Sequence, residues 1–203
     1  MSTKATIYIV DDDESVRLGL SALLVAKGYQ PMAFASAEAF LGALPPEPSG
    51  CALIDIRMPK KSGLELQNDM RQRGVSLPII VITGHGDVPV AVAALKAGAV
   101  DFLEKPFDAP VLISAIEAAL RHGAAIAGSI AMDPATIAAR FGELTPREAE
   151  VMRLVVAGQP NKAIAHRLEI ALRTVEIHRA RVIEKTGARN LSELVRMAVR
   201  IQA

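Results

Sequence analysis

The sequence predicts two domains: a doubly wound α/β domain with a five-stranded parallel sheet, followed by an all-α domain of four short helices. Short apolar runs alternate with helical patterns over residues 1–122, and no strand pattern follows residue 144. Residues 1–122 hold 11 Lys/Arg and 14 Asp/Glu, net −3, whereas residues 123–203 hold 12 and 8, net +4. An acidic part joined to a basic part indicates two domains with different partners.

Five apolar runs are predicted to be the strands of the first domain. They are continuous rather than alternating, which is typical of strands buried on both faces of a parallel sheet. The runs are residues 7–10, 32–34, 51–54, 79–82 and 102–103. The helical patterns between and after them lie near residues 14–27, 36–43, 63–73, 88–97 and 109–121. Five such units favour a doubly wound sheet with the flavodoxin-like strand order 2-1-3-4-5.

The rest of the chain is predicted to be a linker and a helical domain. Residues 123–141 are rich in alanine and glycine, and Asp133-Pro134 within them is a helix-start signal, so this linker could be helical in part. Thr145-Pro146-Arg147-Glu148 predicts a capped helix start. Three more helices are expected, with Asn161 as one N-cap, over about 172–186, and from about 190. We therefore place the domains at 1–122 and 142–203, with the linker at 123–141.

Composition excludes several other classes of protein. The single cysteine cannot form an internal disulfide, and no Cys/His cluster has zinc spacing. No apolar run is long enough to cross a membrane, so no membrane association is expected. The acidic stretch at residues 11–14 lies where the apolar core of a signal peptide would be, which predicts a cytoplasmic protein.

Five polar residues lie at the ends of different predicted strands. Asp11 and Asp12 follow the first strand, Asp55 the third, Thr83 the fourth and Lys105 the fifth. The carboxyl ends of these strands meet at one edge of an open α/β sheet. Neighbouring carboxylates repel each other and need a cation, and oxygen ligands without Cys or His suit Mg²⁺ or Mn²⁺. A carboxylate beside such a cation can attack phosphorus, and Thr83 and Lys105 would bind the phosphoryl oxygens.

These residues stand in motifs that resemble the receiver domain of two-component response regulators, over about residues 5–121. The motifs are Asp11-Asp12, Ile54-Asp55-Ile56-Arg57-Met58-Pro59, Ile82-Thr83-Gly84 and Glu104-Lys105-Pro106-Phe107. The stretches Thr83-Gly84-His85-Gly86-Asp87-Val88-Pro89 and Lys96-Ala97-Gly98-Ala99-Val100-Asp101-Phe102 are similar in particular to FixJ-type regulators. We interpret His85 as a surface residue rather than an acid or base.

The resemblance implies a role for each residue. Asp55 would accept a phosphoryl group from the phosphohistidine of a sensor kinase. Asp11, Asp12, Asp55 and the backbone carbonyl of Arg57 would hold Mg²⁺, and Thr83 and Lys105 would bind the phosphoryl group. Thr83 and Phe102 would form the switch that reports phosphorylation. The Lys105–Pro106 peptide bond is expected to be cis.

The third helix of the basic domain carries an unusual face. At about 100° per residue, Val175, Val182 and Thr186 fall on the core side, and the opposite side combines Ile177, Ala180 and Arg181. Small and apolar groups among charges suit a helix in a DNA groove, where they contact thymine methyl groups and Arg contacts guanine or phosphate. A charged face exposed to solvent is the alternative interpretation of this pattern.

Residues 142–201 resemble the LuxR-type helix-turn-helix, on Leu144-Thr145-Pro146-Arg147-Glu148, Asn161-Lys162-Ala163-Ile164-Ala165 and Arg173-Thr174-Val175-Glu176-Ile177-His178-Arg179. The resemblance makes residues 172–186 the recognition helix and residues 191–199 a dimer contact. Glu176, Ile177, Ala180 and Arg181 would meet bases or nearby backbone, and phosphates would be contacted by Asn161, Lys162, Arg173, Thr174 and Lys185. Ala171 stands where the family usually has Ser or Thr, so a helix cap is missing.

The sequence therefore predicts a non-enzymatic response regulator that is phosphorylated on Asp55, dimerises, and binds double-stranded promoter DNA, with RNA polymerase as a further partner. A transcription factor that leaves its phosphorylation pocket unused is the first alternative. A magnesium-dependent phosphatase is a second, although Arg57 occupies the position where such enzymes carry their second aspartate.

Overall fold

Strands and helices alternate through the first part of the chain. The computed structural model describes residues 5–84, 88–123 and 133–202. The strands are β1 (Thr6–Val10), β2 (Gln30–Phe34), β3 (Cys51–Asp55), β4 (Ile79–Thr83) and β5 (Asp101–Glu104). The helices are α1 (Glu14–Ala26), α2 (Ala37–Ala43), α3 (Gly63–Gln72), α4 (Val88–Lys96) and α5 (Ala109–Gly123). Each predicted apolar run is a strand, which confirms the pattern of βα units.

The five strands form one parallel sheet in the order β2-β1-β3-β4-β5. This is the predicted order. From β1 the chain adds β2 on one side and then β3 on the other, so a crevice opens between β1 and β3 at the carboxyl ends of the strands. All five residues of both β3 and β4 are buried, whereas β2 lies at the edge and is largely accessible. The central position of β3 and β4 explains their unbroken apolar runs.

Apolar side chains cover both faces of the sheet. On one face, Ile7 and Ile9 of β1 pack in a cluster with Leu24 of α1 and Ile116 of α5. Tyr8 alternates with them and so points to the other face. There its ring meets the fully buried Phe40 of α2 edge-on, at a centroid distance of 5.7 Å. The sheet and its helices thus hold the strand ends in fixed positions.

The remaining elements are helical. They are α6 (Pro134–Gly142), α7 (Pro146–Val156), α8 (Asn161–Leu168), α9 (Leu172–Thr186) and α10 (Leu191–Gln202). By contacts between Cα atoms the chain divides into two compact units, Met1–His85 with Ala97–Gly128 and Gly86–Lys96 with Ser129–Ala203. Through the described part of the chain, no helix is long and apolar enough to span a membrane.

The ends of these helices test the sequence signals directly. Thr145 and Glu148 form the predicted capping box at the start of α7. Asn161, however, does not cap α8: the N-cap position is Pro160, and the side chain of Asn161 accepts a hydrogen bond from Arg179 of α9 instead. That interpretation was wrong because a guanidinium from another helix occupies the amide oxygen. No side chain caps α9 at Ala171, as expected.

Candidate functional site

The acidic site lies where β1 and β3 run side by side. Val10 pairs with Ile54, so the residues that follow or end these strands, Asp11 and Asp55, lie at the same edge of the sheet. Both residues are almost fully buried, at 1% and 6% exposed. A buried carboxylate needs a cation or hydrogen-bond donors to offset the loss of hydration. The site supplies both.

Lys105 bridges the two carboxylates. Its Nζ atom lies 2.8 Å from Oδ2 of Asp11 and 2.7 Å from Oδ1 of Asp55. The other oxygen of each carboxylate accepts a hydrogen bond from a backbone N–H. Asp13 donates to Oδ1 of Asp11 at 2.9 Å, and Arg57 donates to Oδ2 of Asp55 at 2.7 Å. The backbone N–H of Lys105 donates to the carbonyl of Thr83, which fixes the backbone from which the lysine side chain extends. The lysine is therefore held in place by β4 and points at both acids.

Burial and charge act in opposite directions on these groups. Burial raises the pKa of Asp55 above its ordinary value, although the ammonium of Lys105 opposes this. Burial tends to lower the pKa of Lys105, but hydrogen bonds to Asp11 and Asp55 outweigh it and the pKa is raised. Lys105 is therefore protonated, and its ammonium contacts Asp55, the residue predicted to be the nucleophile.

The other predicted residues lie in the same strands or directly after them. Thr83 is buried at the end of β4, and its hydroxyl donates to the carbonyl of Gly84 at 3.2 Å. Phe102 is half-buried in β5, and Asp12 is exposed beside Asp11. The Lys105–Pro106 bond is cis, as expected from the resemblance. His85 lies outside the described residues.

The donor set at this edge fits a hard divalent cation such as Mg²⁺. The side chains near the site that can act as ligands are carboxylates, and Asp13 is committed elsewhere because it caps α1 through the N–H groups of Ser15 and Val16. Within residues 5–84, 88–123 and 133–202 no three acidic, histidine or cysteine side chains form a ready metal cage. A cation here would therefore need backbone and water ligands, which Mg²⁺ accepts readily.

A second candidate surface lies on α9. Val175, Val182 and Thr186 are buried, as the helical spacing predicted. The opposite face is open: Ile177 is 44% exposed, and Ala180 and Arg181 are exposed beside it. Leu172 is also exposed at the start of the helix. This helix presents apolar and basic groups together, the combination that suits a DNA groove.

The predicted phosphate contacts lie in different surroundings. Lys162 and Arg173 are exposed. Arg173 forms a solvent-exposed ion pair with Glu176. Thr174 is half-buried in the first turn of α9. Lys185 is engaged by Glu148 of α7, with 2.7 Å between Nζ and Oε2. Its ammonium therefore already has a protein partner.

The sequence did not reveal the groups that hold α8 and α9 from outside. Arg147 of α7 donates to the carbonyl of Leu168 at the end of α8, and Arg140 of α6 donates to the carbonyl of Thr186 at the end of α9. An arginine in a helical segment carries no sequence signal for such a contact. Helical periodicity shows which face a residue occupies but not which distant carbonyl it meets.

Comparisons with known proteins match both parts of the chain. Residues 7–117 match the family model "Response regulator receiver domain", and residues 142–198 match "Bacterial regulatory proteins, luxR family". The chain is 48% identical to the transcriptional regulatory protein FixJ of Bradyrhizobium diazoefficiens, over 98% of this chain and 97% of that protein. It is 49% identical to FixJ of Rhizobium meliloti, over 97% and 96%.

A solved structure gives the same result. Full-length FixJ from B. japonicum aligns with a TM-score of 0.58 at 46% identity, covering 99% of this chain and 98% of that one. Near-complete coverage of both chains means that the order of the two domains is shared. The chain therefore belongs to the FixJ-type response regulators, transcriptional regulators in which a receiver domain precedes a LuxR-type DNA-binding domain.

Proposed function

We propose that this regulator accepts a phosphoryl group on Asp55 from a sensor histidine kinase, dimerises, and then binds promoter DNA more tightly. The observation that carries the proposal is the pair of hydrogen bonds from Lys105 to Asp55 and Asp11 at the carboxyl edge of the sheet. A buried acid that faces a fixed ammonium is suited to become an anionic acyl phosphate, since the added charge meets a cation already in place.

In the transfer step a carboxylate oxygen of Asp55 forms a bond to phosphorus while the bond from phosphorus to the kinase histidine nitrogen breaks. Lys105 and the hydroxyl of Thr83 would bind the phosphoryl oxygens. The side chains of Asp11, Asp12 and Asp55 and the carbonyl of Arg57 would hold Mg²⁺ or Mn²⁺, which when bound neutralises phosphoryl charge. No turnover of a substrate is required, so the protein acts as a regulator rather than an enzyme.

The phosphoryl group would then be read by the switch residues. Thr83 would move toward the phosphate, and Phe102, half-buried in β5, would turn inward behind it. The receiver surface beside β5 would change, and two receivers would pair. Support comes from the burial of Thr83 at the end of β4 and its backbone link to Lys105, which join the switch to the phosphoryl site.

In the dimer, each α9 would enter a major groove. Glu176, Ile177, Ala180 and Arg181 would meet base edges or nearby backbone, and phosphate contacts would come from Asn161, Lys162, Arg173, Thr174 and Lys185. The exposure of Ile177 and Arg181 on one face supports this assignment. The α10 helix would contribute a dimer contact on DNA, and RNA polymerase would be the next partner.

We further propose that the domains lie at 1–122 and 142–203, joined by the segment 123–141, and that the protein works in the cytoplasm. The two matched segments, 7–117 and 142–198, support these boundaries. A cytoplasmic location agrees with a regulator that must reach both a kinase domain and DNA.

The test compares DNA binding with and without phosphorylation. The wild-type chain and Asp55→Asn are incubated with acetyl phosphate and Mg²⁺, and their affinities for a duplex enriched by the wild-type protein from a random pool are measured. We expect a rise in affinity for the wild type and none for Asp55→Asn. Equal affinities with and without the donor for the wild type would favour the alternative, a regulator that does not use its pocket.

A further inference from the structure

Both helices of the helix-turn-helix are held at their C-terminal ends by arginines from outside it. No side chain caps the N-terminus of α8 or of α9. At the other ends, Arg147 donates to the carbonyl of Leu168 and Arg140 donates to that of Thr186. Helix C-termini leave carbonyls without partners inside the helix, and a cation there also interacts favourably with the helix dipole.

Arg140 lies on α6, a short helix that packs into the core of the basic unit. Asp133 caps α6 by accepting the N–H of Thr136. Ile137, three residues before Arg140, is fully buried in a cluster with Val182 of α9 and Met197 of α10. Residues three apart share a helix face, so the face that anchors Ile137 also directs Arg140 toward the end of α9.

The end of α9 is shaped around this guanidinium. Nη1 of Arg140 lies 3.1 Å from the carbonyl oxygen of Thr186. Gly187 follows with a φ of +67°, and a Cβ atom added there would lie 2.1 Å from the same Nη1. The hydroxyl of Thr186 is turned back into the helix, where it donates to the carbonyl of Val182 at 2.7 Å.

We propose that Arg140 is a positioning residue for DNA recognition: by binding the carbonyl of Thr186, the last residue of α9, it sets the orientation of the recognition helix from the segment that precedes the LuxR-type domain. α6 then belongs functionally to the DNA-binding unit. Arg140 acts through α9 and touches no DNA itself. The inference rests on the proposed binding of DNA by α9 and is independent of phosphorylation of Asp55.

The test uses the full chain and three variants. Arg140→Met keeps the apolar stem and removes the cation, and Arg140→Lys keeps a donor. Arg153→Met is the matched control, because Arg153 is an exposed arginine whose Nε donates within its own helix, to Ala149 at 3.3 Å. Affinity is measured at several salt concentrations on a duplex that the wild-type protein enriches from a random pool, and on a scrambled duplex.

We expect Arg140→Met to lower affinity for the enriched duplex about tenfold, with an unchanged salt slope, because binding must then order α9 at a cost comparable to one charged hydrogen bond. Affinity for the scrambled duplex stays the same, Arg140→Lys recovers most of the loss, and amide hydrogen exchange accelerates in the last turn of α9. Arg153→Met behaves as the wild type.

Three outcomes would overturn the inference. One is unchanged affinity of Arg140→Met despite a lower thermal midpoint, which would make the contact merely structural. Another is a shallower salt slope, which would make Arg140 a direct phosphate contact. The third is an equal loss on both duplexes. Failure of the phosphorylation proposal looks different: acetyl phosphate would leave wild-type affinity unchanged while the comparison of Arg140 variants still held.

Discussion

Lys185 in the last turn of α9 forms an ion pair with Glu148 in the first turn of α7, with 2.7 Å between Nζ and Oε2. Glu148 is 2% exposed, and its carboxylate also accepts the backbone N–H of Thr145. One side chain thus closes the capping box of α7 and ties that helix to the recognition helix. The contact joins residues 37 positions apart.

This pair predicts a dependence of stability on pH. The hydrogen bond from Lys185, and then that from the N–H of Thr145, lower the pKa of Glu148 from 4.5 to about 2. Because the pKa of Glu148 is lower in the folded state, the ionised carboxylate stabilises the fold fully above pH 4.5. This stabilisation is lost as the pH falls toward 2. We expect the free energy of unfolding of the wild type to decrease more steeply over this range than that of Glu148→Gln, as measured by urea unfolding followed by circular dichroism. Parallel curves would contradict this role of Glu148.

The start of α9 offers a stabilising substitution. Ala171 occupies the N-cap position with φ −65° and ψ 148°, and no side chain accepts a hydrogen bond there. The N–H of Thr174 already donates to the carbonyl of Ala171 at 2.9 Å. The hydroxyl of Ala171→Ser would therefore accept the N–H of Arg173, in the second position of α9, and stabilise the helix by about 1 kcal/mol. We expect a higher thermal midpoint. Ala138→Ser, an exposed interior position of α6, is the control and should lower it slightly. A midpoint for Ala171→Ser at or below that of the wild type would show that the missing cap is no weakness.

Arg181 tests the proposed DNA face. A cation that contacts a phosphate releases a counterion, so its removal reduces the slope of log affinity against log salt by about 0.9. We expect Arg181→Ala to bind DNA more weakly and with a shallower salt dependence, measured by fluorescence anisotropy. Arg153→Ala, on α7, should change neither quantity. An unchanged affinity and slope for Arg181→Ala would remove this residue from the interface.

Gly63 tests how tightly the chain is packed behind the phosphoryl site. A Cβ atom at Gly63 would lie 2.4 Å from the backbone oxygen of Asp55, so β3 or the start of α3 would have to move. We expect Gly63→Ala to cost about 1–3 kcal/mol of stability and to slow phosphorylation. Gly19→Ala, in α1 with no atom within 4 Å of the new Cβ, should instead stabilise by about 0.5–1 kcal/mol. Thermal unfolding measures the stability of both variants, and the rate of phosphoryl uptake measures the effect on the site. Equal behaviour of the two variants would contradict the packing argument.

Much of the first domain could be predicted because its signals are local. The apolar runs of β3 and β4 are continuous because those strands are buried on both faces. Asp11 and Asp55 meet because β1 and β3 are parallel neighbours that end at one edge of the sheet. The weak run at β2 was still a strand because an edge strand needs only one partner, here β1.

Contacts between distant helices could not be predicted. The prediction that Asn161 is an N-cap was wrong because its amide oxygen accepts a hydrogen bond from Arg179 of another helix. The bond from Arg140 to the end of α9 and the pair of Lys185 with Glu148 also depend on tertiary packing. Helical spacing gives the face of each residue but not the partner that the fold brings to it.

The central claim is that Asp55 accepts the phosphoryl group, and intact-mass spectrometry tests it most directly. The full chain is incubated with acetyl phosphate and Mg²⁺, beside Asp55→Asn and the control Asp69→Asn. Asp69 lies in α3, and its carboxylate pairs with Lys61 rather than with the site. We predict that the wild type and Asp69→Asn each gain the mass of one phosphoryl group, and that Asp55→Asn gains none. No gain in the wild type, or a gain that persists in Asp55→Asn, would contradict the account.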